Sequence, residues 1–518
     1  MRRVLRLMKA LASRSPASVV SRLLPLMSPD FWEKGGERLA LSSFHEAAEK
    51  VPAYRDFLLK HGLEDHRRVK TIEDFKEKVP MMDKESYVEQ YPLDQRSIQG
   101  MQDTVVFTIS GGTSAAAPIL INHSKDEIYS PNYAKLWLYY LLGNYLSKRI
   151  LFINSFAQGA WSGAVLTTFI YEGLAKDPKL NLSIFTPGLN AELVITLIDT
   201  VGKFYDIILL AGYPSFLRFI YYEGVKRKLD WNAHKVVLMC SGESAANLKH
   251  FFTRNYKINP YFELLNTYGN TEGGWAIFTP LCNLIEELFE QNPTHFGIGG
   301  VTSFFQYCPL YVFFEELDGE LLITRDSNAT MMPLIRYRIP DAVKLYRYAE
   351  MKKIWQDRFN IKPAETLKNF GFSRGTLKWP FCAVKGRTDQ RVSVLGGRVG
   401  PDELAYALNL AQDDLINSFS FGVEEDIAAK FVIYLELFPG ASIPASDLPE
   451  VTKKYHDLVA ENLSRINLDF QAAYEAVPTL VDPVIRICSH GEGPFKEDYK
   501  RLKPKHLFDD NIEDGARL

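Results

Sequence analysis

The chain has little of what marks several large classes of protein. Its five cysteines, Cys240, Cys282, Cys308, Cys382 and Cys488, are odd in number, widely spaced and without a CxxC pair. Free thiols in a reducing compartment are expected, and a disulfide scaffold is excluded. No run of about 18 uncharged apolar residues occurs, and stretches such as LWLYYLLGNYL and YDIILLAGY are too short to cross a bilayer. Basic excess is also missing: 60 Lys and Arg against 63 Asp and Glu leave a formal net charge of -3, so no global field draws nucleic acid or anionic lipid. Internal repeats, low-complexity tracts and sustained heptads are absent, which argues against a scaffold. GxGxxG and HExxH do not occur and GxSxG occurs once, as Gly371 to Gly375, so a hydrolase or dehydrogenase reading has little support.

What is present is an ordinary globular composition, 46% hydrophobic and 24% charged, over 518 residues. Single cores stop growing at about 250 to 300 residues, so two or three domains are expected. Before Asp30 there is no acidic residue, and Arg2, Arg3, Arg6, Lys9, Arg14 and Arg22 alternate with apolar positions. Residues 1–45 therefore read as a basic helical extension, either an organelle-targeting segment, a membrane-surface anchor or a plain surface helix. A cytoplasmic location fits the rest of the chain.

From about Arg149, short β-rich runs (RILFIN, LSIFTP, YDIILLAG, KVVLMCSG) alternate with helical patterns (VLTTFIYEGLA, LVITLIDTVGKF, PSFLRFIYYEGVKR). This pattern predicts an α/β fold with a mostly parallel sheet covered by helices. After Gly274 hairpin-like strands follow, with YVFFEEL and ELLITR joined across Asp318 and Gly319, a dipeptide suited to positive φ. Residues 1–385 are expected to form a large domain, and 386–518 a small α+β domain with strands QRVSVL, FVIYLELF and PVIRIC.

Four strings carry chemistry. TISGGTSAAAP, Thr108 to Pro118, has small and hydroxyl residues that let backbone amides approach an anion, with Ser110, Thr113 and Ser114 as donors. It is not a Walker loop, and a solvated hairpin loop has the same composition. NTYGNTEGG, Asn266 to Gly274, sets an aromatic face, Tyr268, beside Thr271 and Glu272; a carboxylate there can hold Mg²⁺ at the carboxyl edge of a sheet, while a capped turn is the simpler account. PLIRYRIPD ends in Asp341, which can accept from ribose hydroxyls, or belong to a surface salt-bridge network. VKGRTDQRV, with Gly386, Arg387 and Asp389, is a short polar stretch where a rotation could be absorbed, or an ordinary linker. Trp161, Tyr213 and Phe216 are aromatics that could line an acyl pocket or simply fill a core.

Taken in order, these strings, with SFAQGAWSG, FTPGLN, LLAGYPSFL and SGES, resemble the adenylate-forming (acyl-CoA synthetase) superfamily, and within it the phenylacetate-CoA ligase branch, over about residues 50 to 410. The resemblance implies an acid-thiol ligase using ATP and Mg²⁺: a carboxylic acid, aromatic or otherwise hydrophobic, becomes acyl-AMP and is passed to CoA. It assigns Ser110, Gly111, Gly112, Thr113 and Ser114 to phosphate binding and Gly242, Glu243, Tyr268, Gly269 and Thr271 to the nucleotide. Glu272 would bind Mg²⁺, Asp341 the ribose, and Arg387 would approach the nucleotide, with Asp389 as a hinge for the small domain. Lys503, in LKPKHLFDD, is the choice for the adenylation lysine, with Lys496, Lys500 and Lys505 as rivals. Delivery to an amine, hydroxyl or carrier-protein thiol, or a degenerate nucleotide-binding protein, are the alternatives.

The chain departs from that pattern. Ala115, Ala116 and Ala117 replace glycine and a lysine in the phosphate loop, removing one positive charge. Pro340 precedes Asp341 in place of glycine and stiffens the turn. Cys282, His295 and Cys308 lie where some relatives carry a structural metal, but their spacing is not that of a zinc site and none is expected. The partners implied are small molecules, an acid and CoA, with no nucleic acid. The acid, the acceptor and the oligomeric state are not legible.

Overall fold

The computed structural model describes residues 17–98, 101–109, 119–129, 138–143, 145, 147–178, 180–242, 245, 248–273, 275–299, 301–326, 330–387, 392–394, 397–409, 411, 415–425, 429–467, 470–471, 474–475, 481–496 and 506–507. It divides into two compact units. The first comprises residues 1–296, 303–339 and 343–384; the second comprises 297–302, 340–342 and 385–518.

In the first unit a hairpin of β1 (Thr104–Ile109) and β2 (Leu120–Ser124) pairs antiparallel, with Ile109 opposite Leu120. Strands β3 (Arg149–Asn154), β4 (Asn181–Phe185), β5 (Ile207–Gly212), β6 (Val236–Ser241) and β7 (Leu264–Gly269) then alternate with helices, as the pattern predicts. They pair in parallel in the order β7-β6-β5-β3-β4. Every residue of β5 is buried, the continuous apolar run of a parallel strand covered on both faces. Leu151, Ile153, Ile208, Leu210 and Leu238 pack against Val194, Ile195 and Ile198 of the helix Ala191–Val201 and against Leu217 and Ile220 of the helix Pro214–Lys226. Asn190 caps the first of these helices by accepting from the Leu193 amide at 3.0 Å.

The sheet continues through β8 (Trp275–Ile277), β9 (Ser303–Gln306), β10 (Val312–Leu317), β11 (Glu320–Arg325), β12 (Tyr337–Tyr346) and β13 (Phe381–Arg387). Eleven strands result, in the order β10-β11-β12-β13-β9-β8-β7-β6-β5-β3-β4. The expected turn at Asp318 and Gly319 is present, both residues having positive φ, +53° and +78°, between antiparallel β10 and β11. That pair of dihedrals matches the twist of the flanking strands.

In the second unit, β14 (Val392–Val394) pairs with β15 (Gly397–Val399). β16 (Ile416–Glu425) runs antiparallel to β17 (Ala429–Leu437), and β18 (Val484–Cys488) is parallel to β17. The helices Pro401–Asn409 and Leu448–Ile466 cover this sheet, placing Leu404, Tyr455, Val459 and Leu463 against Phe421, Phe431 and Ile433. This is the small α+β arrangement the sequence predicts. Among the described residues no helix is long and apolar enough to cross a membrane.

Glu286, buried on the helix Pro280–Gln291, accepts from the Phe304 amide at 3.0 Å and lies 3.7 Å from Lys249 Nζ. Burial, against the opposing pull of Lys249, raises its pKa from 4.5 to about 7. Between those values the folded protein holds a proton that the unfolded chain has released. Stability is therefore full below the lower value, falls as pH rises, and levels off above the higher one, a loss of about 3 kcal/mol. Urea unfolding of the wild type and Glu286→Gln across this range should show the slope in the first and its loss in the second.

Candidate active site

The five parallel strands end along one edge of the sheet, and the turns that leave them carry several of the residues singled out above. At the end of β3, Asn154 donates to the Ala164 carbonyl at 3.1 Å and to Thr168 Oγ1 at 2.9 Å, tying the strand to the helix Ser162–Ala175. The Ser155 amide continues the ladder onto the Ala211 carbonyl at 2.8 Å. A Cβ at Gly212 would stand 2.6 Å from Ser155 Oγ, so glycine is required where the two turns cross. Tyr213 follows, half-buried, its ring edge-on to Phe156 at 5.3 Å. β6 ends in Ser241, whose hydroxyl donates to the Thr267 carbonyl at 3.3 Å, and Gly242 follows at φ +84°.

Beyond β7 the backbone turns, with the Gly273 amide donating to the Asn270 carbonyl at 3.0 Å. Tyr268 is half-buried against Phe305, ring centroids 5.8 Å apart, and Gly269 is exposed. Thr271 Oγ1 accepts from Ser162 Oγ at 3.1 Å. The residue before Ser162 is Trp161, which bridges in parallel to Ile109, and the Ile109 amide donates to the Ala160 carbonyl at 2.9 Å. Three segments singled out from the sequence therefore meet: the base of the β1–β2 hairpin, Trp161, and the Thr271–Glu272 turn. Glu272 is half-buried. Burial first, and then its carboxylate, push the Tyr337 phenol upward, with Asp83 adding and Arg96 opposing.

A buried polar chain that the sequence reading missed joins the hairpin to that turn. Thr108 Oγ1 lies 2.8 Å from His123 Nε2, and His123 Nδ1 lies 3.0 Å from Glu127 Oε1. Arg325 Nη2 donates to the same oxygen at 2.8 Å, and the Met331 amide reaches Glu127 Oε2 at 3.4 Å. Burial acts to raise the Glu127 pKa, but Arg325 and His123 outweigh it and hold the carboxyl below its ordinary value. Gly273, at φ +97°, lies directly on this arginine: a Cβ there would stand 2.3 Å from Arg325 Nε. His123 and Glu127 are four residues apart, but across a strand-to-helix junction that offers no helical periodicity to read.

Asp341 is buried on β12 and Arg387 is half-buried at the end of β13; both belong to the second unit. Lys496 is exposed after a 3-10 turn. Ser110, Gly111, Gly112, Thr113, Ser114, Glu243, Asp389 and Lys503, with Lys500 and Lys505, lie outside the described residues. Cys282 is buried, its thiol pushed up to about 12 by burial, Cys308 is buried, and His295 Nε2 lies 3.2 Å from Asn292 Nδ2. Among the described residues no group of three or more His, Cys, Asp or Glu is arranged to hold a metal ion.

No protein-family model and no curated protein sequence matches the chain. Solved structures do. A 2-hydroxyisobutyryl-CoA ligase in its postadenylation state is 15% identical with a TM-score of 0.66, covering 95% of this chain and 92% of its own. An open conformation of that ligase with 2-HIB-AMP and CoA gives 15% and 0.53, over 92% and 91%. An acyl acid amido synthetase in complex with 2,4-DB gives 13% and 0.58, over 96% and 94%. The chain has the fold of these adenylate-forming enzymes, as its motifs led us to expect. The likeness does not single out the phenylacetate-CoA ligase branch.

Proposed function

We propose that this protein activates a carboxylic acid, aromatic or otherwise hydrophobic, with ATP and transfers the acyl group to CoA, in the manner of the phenylacetate-CoA ligase branch. In the first step a carboxylate oxygen attacks the α-phosphorus, the bond to the bridging oxygen breaks, and acyl-AMP and pyrophosphate form. In the second the CoA thiol, losing its proton, attacks the acyl carbonyl and AMP leaves. The observation that carries this reading is the convergence of the hairpin base, Trp161 and the Thr271–Glu272 turn at the carboxyl edge of a parallel sheet, where ligands of open α/β sheets bind.

In this reading Tyr268 offers a ring face to the adenine, and the amides around Gly242 and Gly269, with Thr271, orient the nucleotide. Trp161 and Tyr213 flank the acyl group. Ser110, Gly111, Gly112, Thr113 and Ser114 grip phosphate, and Glu243 borders the nucleotide. The second unit contributes Asp341 to the ribose, Arg387 toward the nucleotide and Lys503 to the α-phosphate, turning about Asp389 between the two steps. The half-buried carboxylate of Glu272, which this reading sets beside phosphate oxygens, suits Mg²⁺, an ion that keeps several waters and takes one or two carboxylates. When bound, Mg²⁺ supplies charge neutralisation of the phosphates.

Acid-dependent exchange of labelled pyrophosphate into ATP tests the first step. A panel of hydrophobic and aromatic acids should support exchange; a folded protein that exchanges with none refutes adenylation. Product analysis with and without CoA tests the second, since acyl-CoA should form only when the thiol is supplied. An acyl amide, ester or carrier-bound thioester in its place would redirect the transfer.

A further inference from the structure

The basic N-terminal stretch plays no part in the proposed chemistry, and the fold turns its apolar side chains the wrong way for an ordinary surface helix. The helix Ala17–Leu23 and the 3-10 turn Leu24–Leu26 that continues it lead into the long helix Pro29–Lys50. Leu24 and Pro25 are buried, and so is Ser21. Facing outward are Val19 and Leu23, each 50% exposed, and Leu26, at 72% the most exposed large apolar side chain among the described residues. Positions 19, 23 and 26 keep the i, i+4, i+7 spacing of a single face. Arg22 is exposed beside them and pairs with no carboxylate among the described residues. The backbone beneath is fixed. Pro25 packs on Gly375, where a Cβ would stand 3.3 Å from the proline Cβ, and the Gly375 carbonyl accepts from the Tyr140 hydroxyl at 2.7 Å. Arg374 donates to the carbonyls of Tyr140 at 2.5 Å and Leu141 at 3.2 Å. Burial holds the Arg374 pKa down, Tyr140 opposes, and Arg22 adds to the fall, so two cations stand near one another at this surface.

An amphipathic helix on a protein surface buries its leucines and shows its polar residues to water. Here a serine is inside and two leucines are outside, and clustered exposed apolar side chains mark a surface that something else covers. The charge around them says what. From Met1 to Pro29 there is no Asp or Glu and there are six Lys and Arg, in a chain whose net charge is -3, so the positive charge is local. An apolar stripe flanked by cations suits an anionic bilayer: the leucines enter the acyl boundary while the guanidinium stays among the headgroup phosphates. A second copy suits it poorly, because a two-fold contact would set this basic surface against itself. We propose that Val19, Leu23 and Leu26, with Arg22, form a docking surface for an anionic phospholipid bilayer, with the helix Ala17–Leu23 lying in the plane of the interface. The proposal does not depend on the adenylation reading.

Flotation of the full chain with phosphatidylcholine vesicles, with and without about one-third phosphatidylserine, tests it. The wild type should float with the anionic vesicles, poorly with phosphatidylcholine alone, and be released as salt rises. Leu23→Gln combined with Leu26→Gln should lower the partition coefficient about tenfold or more, and Arg22→Gln about fivefold. Leu59, 51% exposed on the helix Pro52–Lys60, is the control, and Leu59→Gln should bind as the wild type does. A wild type that ignores anionic vesicles overturns the proposal, as does one that binds phosphatidylcholine equally well. Undiminished binding of the double variant, which would give the contact to another part of the chain, overturns it too, and so does an equal loss in Leu59→Gln. A wild type that stays off vesicles and sediments as a dimer, the double variant as a monomer, gives the surface to a second copy instead. The exposed positions should leave the unfolding midpoint unchanged. Should the double variant not fold, Leu26→Gln alone decides: reduced binding supports the proposal and undiminished binding overturns it.

Discussion

Replacing Glu127 with Gln is expected to destabilise the protein by about 3–5 kcal/mol, because it strands the Arg325 charge in the interior. Both side chains are 6% exposed and their contact is 2.8 Å. The loss is a large share of the roughly 5–15 kcal/mol that holds a folded domain. Urea unfolding measures it, and a double-mutant cycle identifies its origin. Arg325→Met in the Glu127→Gln background should recover most of the loss, since the interior then holds no unpaired charge. A single variant within about 1 kcal/mol of the wild type would show that the pair is not the anchor described. Because Gly273 lies on Arg325, the Glu127→Gln variant should also lose acid-dependent exchange under conditions where it remains folded.

Glu272→Gln carries the second large effect, on chemistry with the fold intact. The change keeps the side chain's shape and removes one negative charge at a half-buried turn position. Exchange should fall by about 10²–10³-fold, the scale at which a group that organises charge on a transferring phosphoryl acts. The unfolding midpoint should stay with the wild type. Raising Mg²⁺ should recover part of the activity if the carboxylate is a metal ligand, and exchange at the wild-type rate would take Glu272 out of the site.

Much of the fold was legible because its elements are locally encoded. The fully apolar run of β5 and the alternation around it announce a covered parallel sheet, and Asp318–Gly319 announces its turn by needing positive φ twice. Candidate site residues could be proposed where a string combined small, hydroxyl and carboxylate groups, as at Tyr268 to Glu272. Arg96 could not be read: a lone arginine in YPLDQRS has the look of a surface charge, and only its burial, with a thioether as its hydrogen-bond acceptor, sets it apart.

The sequence by itself determined the order of strands and helices, the two-part organisation of its patterns and the polar strings at strand ends, since each depends on neighbours a few residues apart. The tertiary structure alone decided that Arg325 answers Glu127 across 198 positions, that Thr271 meets Ser162 across 109, and that Arg96 lies enclosed between phenols and a thioether. Charge pairing and desolvation act through space once the sheet has closed over them, and they leave no periodicity along the chain for a reader to follow.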